Sequence, residues 1–104
     1  MTLLKLLQPF VQHKKIMKKT FYDEYEGRDF EADIPDDLYK KAYEDNDYDA
    51  LYEVGIILET ETEMSFAAIA EIMEKAYADG KGSDDARYWL EDYRYDDGRF
   101  DAWS

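Results

Sequence analysis
The chain has 104 residues, with 13 lysines and arginines against 26 aspartates and glutamates, and no cysteine. Its length suits one domain, the missing cysteine excludes disulfides, thiolate metal sites and cysteine nucleophiles, and no apolar run approaches the ~20 residues that span a bilayer. The charge is split: residues 1–20 carry five lysines and no acid, while residues 21–104 carry eight basic and 26 acidic groups, a net of −18. Such a body repels nucleic-acid phosphates and anionic membranes over a Debye length of ~8 Å. Direct binding to nucleic acid or membrane is therefore not expected, and a protein with a basic surface is the expected partner. Ten tyrosines, five phenylalanines and two tryptophans keep this acidic chain out of the disordered class.

In chain order, the first predicted element is a basic helix from Thr2 to about Lys19. Leu3, Leu6 or Leu7, Phe10 and Met17 recur in it at three- and four-residue steps, with Pro9 in its first turn. The apolar Leu3–Val11 stretch is cut by Lys5 and Pro9 and lacks a small-residue cleavage site, so a cytoplasmic location is expected. Residues 21–35 read as a connector with Gly27, Pro35 and scattered aromatics, in which Phe30–Ile34 alternates as a short extended piece would.

From Pro35 the signals sharpen. Pro35, Asp36 and Asp37 suit a helix start, and Leu38, Tyr39 and Ala42 supply its apolar stripe. After the turn Glu44–Asp47, Ala50, Leu51, Val54, Ile57 and Leu58 share a helical face, with Gly55 placed for close approach of a neighbouring backbone. Glu59–Met64 reads as an acidic linker. Ser65 then caps a helix whose stripe is Phe66, Ile69, Ala70, Met73, Ala76 and Tyr77, ended by Gly80 and Gly82. Ser83 caps the next, with Asp84 and Asp85 in its first turn, then Ala86, Tyr88, Trp89, Leu90 and Tyr93. Gly98 is expected to close it, leaving 99–104 as a tail whose Phe100 and Trp103 dock on that helix.

One short phrase occurs twice, 34 positions apart, as Lys40-Lys41-Ala42-Tyr43 and Glu74-Lys75-Ala76-Tyr77, each followed by an acidic turn and an Asp-Ala pair, Asp49-Ala50 and Asp85-Ala86. This period points to stacked helical pairs. Ala50, Val54-Gly55 and the run Ala70 to Gly80, with a partial copy Ala86, Leu90 to Gly98 and a half copy Leu38–Asn46, resemble the Sel-one-like repeat, a relative of the tetratricopeptide repeat. The resemblance covers about residues 36–98. Three features depart from that pattern: Glu59–Glu63 replaces a glycine-rich loop, Glu91 replaces a glycine, and Met73 stands where an aromatic is favoured. The resemblance implies a protein-interaction scaffold without chemistry of its own, binding through a concave face lined by alternate helices.

Chemistry of other kinds finds little support. Asp45, Asp47 and Asp49 have the alternate spacing of a calcium loop, but Ala50 and Ile56 stand where glycine and glutamate are needed, so no metal site is expected. His13 stands among lysines without an acid to orient it, Ser65 and Ser83 read as caps, and no phosphate loop occurs. No catalytic residue, cofactor or enzyme activity is expected.

The expected architecture is all-α: an N-terminal helix (1–20), a connector (21–35), tandem antiparallel helix pairs (36–98) and a tail (99–104). The expected partner-binding residues are Tyr48, Tyr52 and Glu53 on one pair, and Tyr88, Glu91, Asp92 and Tyr95 on the next, because aromatic anchors among carboxylates suit a basic protein. The alternative is an acidic inhibitor, a toxin immunity protein or nucleic-acid mimic that blocks a basic protein. So short a stack also leaves an apolar end open to self-association, making a homo-oligomer a further expected assembly.

Overall fold
Residues 16–35, expected to be the end of a helix and a connector, pair instead as an antiparallel β-hairpin of β1 (Ile16–Asp23) and β2 (Arg28–Pro35). The computed structural model describes residues 15–103, with side chains through Tyr93. The register runs from Ile16 opposite Pro35 to Asp23 opposite Arg28. Side chains alternate across such a sheet, so Phe30, Ala32 and Ile34 turn inward and are buried while Asp29, Glu31 and Asp33 stay in water. Opposite them on the inner face lie Phe21, Lys19 and Met17, and Asp23 follows opposite Arg28.

The hairpin turn is held by Asp23. Its Oδ1 accepts the backbone N–H of Tyr25 at 2.9 Å and of Glu26 at 3.0 Å, and its carbonyl accepts that of Gly27 at 2.7 Å. Gly27 takes φ +71°, a conformation that costs a glycine little.

Four helices follow: α1 (Asp36–Tyr43), α2 (Tyr48–Glu61), α3 (Phe66–Tyr77) and α4 (Asp84–Trp103), with a single 3₁₀ turn at Ala78–Gly80. The described architecture is thus mixed, a two-stranded sheet followed by helices, and the all-α expectation is wrong. The helical spacing from Leu3 to Met17 misled at its end, since Ile16–Lys19 is strand; residues 1–14 lie outside the described residues.

Each helix start has a local cause. α1 follows Pro35 and carries Asp36 and Asp37 in its positive first turn, with Lys40 paired to Asp36 at 3.3 Å one turn on. Asp47 caps α2 by accepting the N–H of Ala50, Ser65 caps α3 through Ala68, and the Ser83 hydroxyl accepts the N–H of Ala86 in α4. Asp47 is therefore committed as a cap in the stretch that had a calcium loop's spacing.

Two helix ends differ from expectation. α3 stops at Tyr77 because Ala78 and Asp79 adopt left-handed backbone, with φ of 51° and 54°. α4 runs through Gly98 to Trp103, so Gly98 does not close it and residues 99–103 are helix, not tail. The side chains of Phe100 and Trp103, to which a docking role was assigned, lie outside the described residues.

One core joins all the layers. Ile34 of β2, Val54 and Leu58 of α2, Ile69 and Met73 of α3, and Leu90 of α4 are essentially sealed from solvent. Full burial of such a side chain is worth about 1.5–3 kcal/mol, so the hairpin's inner face is part of the folding unit and not an appendage. Gly55 brings α2 against α3: a Cβ there would lie 2.7 Å from the Met73 Cε and 3.4 Å from the Ile72 Cγ2. The close neighbour is a side chain, not the backbone that the sequence suggested. Phe66, expected in the α3 stripe, is instead 61% exposed. Among the described residues no helix is long and apolar enough to cross a membrane.

Candidate functional site
Two surfaces concentrate aromatic and acidic groups. The first lies where α2 runs beside the start of α4. Tyr48 opens α2 with its ring against Gly82, and one turn later Tyr52 packs half-buried on the core. Burial, with the carboxylates of Asp85, Glu59 and Glu53 nearby, raises the Tyr52 phenol above its ordinary value. Further along, the Trp89 indole N–H donates to both Glu59 carboxylate oxygens at 3.2 Å, and the Trp89 ring stacks on Tyr93 with centroids 5.5 Å apart. The two helices therefore advance in step, with Tyr48 at Gly82, Tyr52 near Asp85 and Glu59 at Trp89.

The residues expected to bind a partner divide between two places. Tyr48 and Tyr52 belong to this α2–α4 face, while Glu53, exposed and next to Tyr52 in the chain, points away from the line that Tyr48, Tyr52 and Glu59 share. Asp92, exposed and seven residues after Asp85, shares their side of α4 by helical spacing. Tyr88 and Glu91 gather instead about Arg87, whose guanidinium lies 4.8 Å from the centre of the Tyr88 ring. The Tyr95 side chain lies outside the described residues. Sequence reasoning missed Glu59 and Asp85 as neighbours of Tyr52, because Glu59 was assigned to a linker while helix α2 continues to Glu61.

The second surface is a cleft of about 300 Å³ between the hairpin, the end of α1 and α3. Met64, Ala68 and Ile72 form its apolar side, Phe21, Tyr22 and Tyr43 its aromatic side, and Glu24, Glu71 and Lys75 bring charge to it. Behind it Phe21 meets Tyr39 edge-on at 6.4 Å and Tyr39 meets Tyr43 at 4.7 Å. The Lys19 ammonium sits 4.3 Å over the Tyr39 ring. A hydrogen bond to Glu71 raises the Tyr25 phenol, placing Tyr25 beside the same cleft. Nothing in the sequence reading marked this cleft, because it exists only once residues 16–35 form a hairpin.

Tyr43 yields a testable pH effect. Burial, and Tyr39 after it, push its phenol up to about 12, although 43% of the residue stays in solvent, which tempers the displacement. A raised phenol stabilises the fold fully below its ordinary value near 10, and that contribution is lost as the pH climbs towards about 12. Subtracting the alkaline phenolate titration of Tyr43→Phe from that of the parent should leave one step displaced above pH ~10. A difference step at the ordinary value would show that the ring is effectively solvated.

No protein-family model, curated protein or solved structure matches the chain.

Proposed function
We propose that the chain is a non-catalytic interaction module that binds a basic partner protein through its acidic, tyrosine-bearing α2–α4 face. The observation that carries this reading is the alignment of Tyr48 with Gly82 and of Tyr52 with the start of α4, where the carboxylates of Asp85 and Glu59 lie near Tyr52. Tyrosine rings supply contact area at low entropic cost, and carboxylates steer a cationic surface towards them. Asp92 continues this face along α4 by helical spacing, while Tyr88 and Glu91 stand apart about Arg87. A chain without cysteine suits the reducing cytoplasm. Neither nucleic acid nor membrane is a natural partner for a body of this charge.

The second reading, an acidic inhibitor that occupies a nucleic-acid-binding or toxin surface, draws on the hairpin. Asp29, Glu31 and Asp33 form an exposed outward column on β2 at two-residue steps, roughly 7 Å apart. Such a column presents regularly spaced negative charge.

One experiment addresses both. The parent and the Tyr48→Ala/Tyr52→Ala pair are used to capture proteins from the source cell at low salt, and the retained proteins are eluted with rising salt. A basic partner that elutes as salt rises, and whose affinity the double variant lowers at least about tenfold, is expected. Retention indifferent to salt and to both tyrosines would overturn the module reading. Displacement of that partner by a soluble polyanion, with loss on neutralising Asp29, Glu31 and Asp33, would select the inhibitor.

A further inference from the structure
The cleft beside the hairpin has walls that suit two different parts of one chemical group. We propose that it receives a basic side chain, an arginine above all, presented by the partner protein. This rests on the reading that the partner is basic, and it adds where a cationic side chain would enter.

Three observations set the chemistry of the occupant. The apolar side, Met64, Ala68 and Ile72, matches the methylene stem of a long side chain, and the volume of about 300 Å³ is at the small end of ligand pockets. Tyr22 and Tyr43 are aromatic members of the lining, and a planar guanidinium is attracted to such rings. Glu24 and Glu71 bring two carboxylates against the single ammonium of Lys75, which leaves the cleft one charge short of neutrality. A neutral apolar guest would leave that deficit unanswered, and an anion would meet repulsion from the cleft and from the −13 chain. An arginine answers stem, ring and charge together.

The partners of Glu71 support the assignment. Tyr25, at the hairpin turn, hydrogen-bonds to Glu71, so this carboxylate is tied to the hairpin as well as to α3. Lys75 stands one turn along α3 from Glu71, within reach of an intrahelical pair. A guest guanidinium therefore competes with a single exposed ammonium.

The test uses the isotope-labelled full chain at neutral pH and low salt, titrated with an end-blocked Gly-Arg-Gly peptide and, separately, with its citrulline counterpart. Citrulline keeps the shape and removes the charge. Saturable amide shifts centred on Tyr22, Ala68 and Ile72 are expected, with the citrulline peptide weaker by at least about tenfold. Glu71→Gln and Glu24→Gln should each weaken the arginine peptide by several-fold, while Glu91→Gln, away from the cleft, should not. Both cleft acids are exposed, and unchanged amide spectra of the free variants elsewhere in the chain would certify their fold. Shifts scattered over the acidic surface, or equal binding of citrulline, would overturn the proposal. The two readings fail separately. A cleft indifferent to arginine beside a partner lost on Tyr48→Ala/Tyr52→Ala removes this inference and leaves the module. Arginine binding in the cleft with a partner indifferent to those tyrosines does the reverse.

Discussion

Asp23→Ala is expected to destabilise the protein by about 3 kcal/mol at neutral pH, because its carboxylate closes one strand turn and starts one helix at once. The side chain has no solvent exposure, and burial by itself would push its carboxyl up. Hydrogen bonds from the backbone of Ser65 and Glu26, the Ser65 hydroxyl and the backbone of Tyr25 outweigh that effect and hold it below the ordinary aspartate value. The Ser65 N–H donates to Oδ2 at 2.7 Å and its hydroxyl to Oδ1 at 3.2 Å, while the same hydroxyl oxygen accepts the Ala68 N–H in the first turn of α3. Removing the carboxylate leaves the Ser65, Tyr25 and Glu26 donors short of an acceptor and frees the helix cap.

The pH dependence has a definite sign. A depressed carboxyl contributes stability that is complete above the ordinary aspartate value, about 4, and is lost as the pH falls through its lower folded-state value. Denaturant titrations of parent and Asp23→Ala should therefore differ at neutral pH and converge under acid conditions. A gap that stayed constant through the acid limb would show that the charge on Asp23 is irrelevant and that only its shape matters.

Gly82→Ala is expected to cost about 3 kcal/mol as well, by overpacking. A Cβ at this position would collide with the Ala76 carbonyl oxygen and approach the Tyr48 Cγ to 2.8 Å. The carbonyl cannot step aside freely, since it accepts the Ser83 N–H at 2.8 Å at the turn between α3 and α4. The ring of Tyr48 would have to move, so the same substitution should impair the α2–α4 face. Gly27→Ala is the comparison, because its Cβ meets only open space and pays just the left-handed backbone, about 1–2 kcal/mol. Thermal or denaturant unfolding of the two variants would rank them. Equal losses would mean that the α3–α4 turn relaxes around the added methyl.

Local chemistry made the helices from Pro35 onward readable. Asp47, Ser65 and Ser83 are side chains that satisfy the amides of the turn that follows them, and each does so here. The buried faces of α2 and α3 follow their helical period, except for Phe66, whose place at the first turn leaves it in solvent. β2 was half legible, through the alternation from Phe30 to Ile34. Its partner was not, because two of its inward positions are charged: Lys19 rests on the Tyr39 ring beside Asp36, and Asp23 is answered by Ser65, 42 residues later. A period-2 pattern cannot be recognised when the inner face carries an ammonium and a carboxylate whose partners are remote.

The candidate sites divide in the same manner. That tyrosines and acids crowd the helices is a property of composition, and so is the net charge of −13 on which the proposal of a basic partner draws, since net charge does not depend on the fold. Which of them stand together was decided by packing: Tyr52 is near Asp85 while Tyr88 turns to Arg87, and the cleft arose because the hairpin lies against α1 and α3. Short-range order is written residue by residue, in caps, turns and periods. Adjacency between segments depends on burial and hydrogen bonds that close only when distant parts of the chain meet.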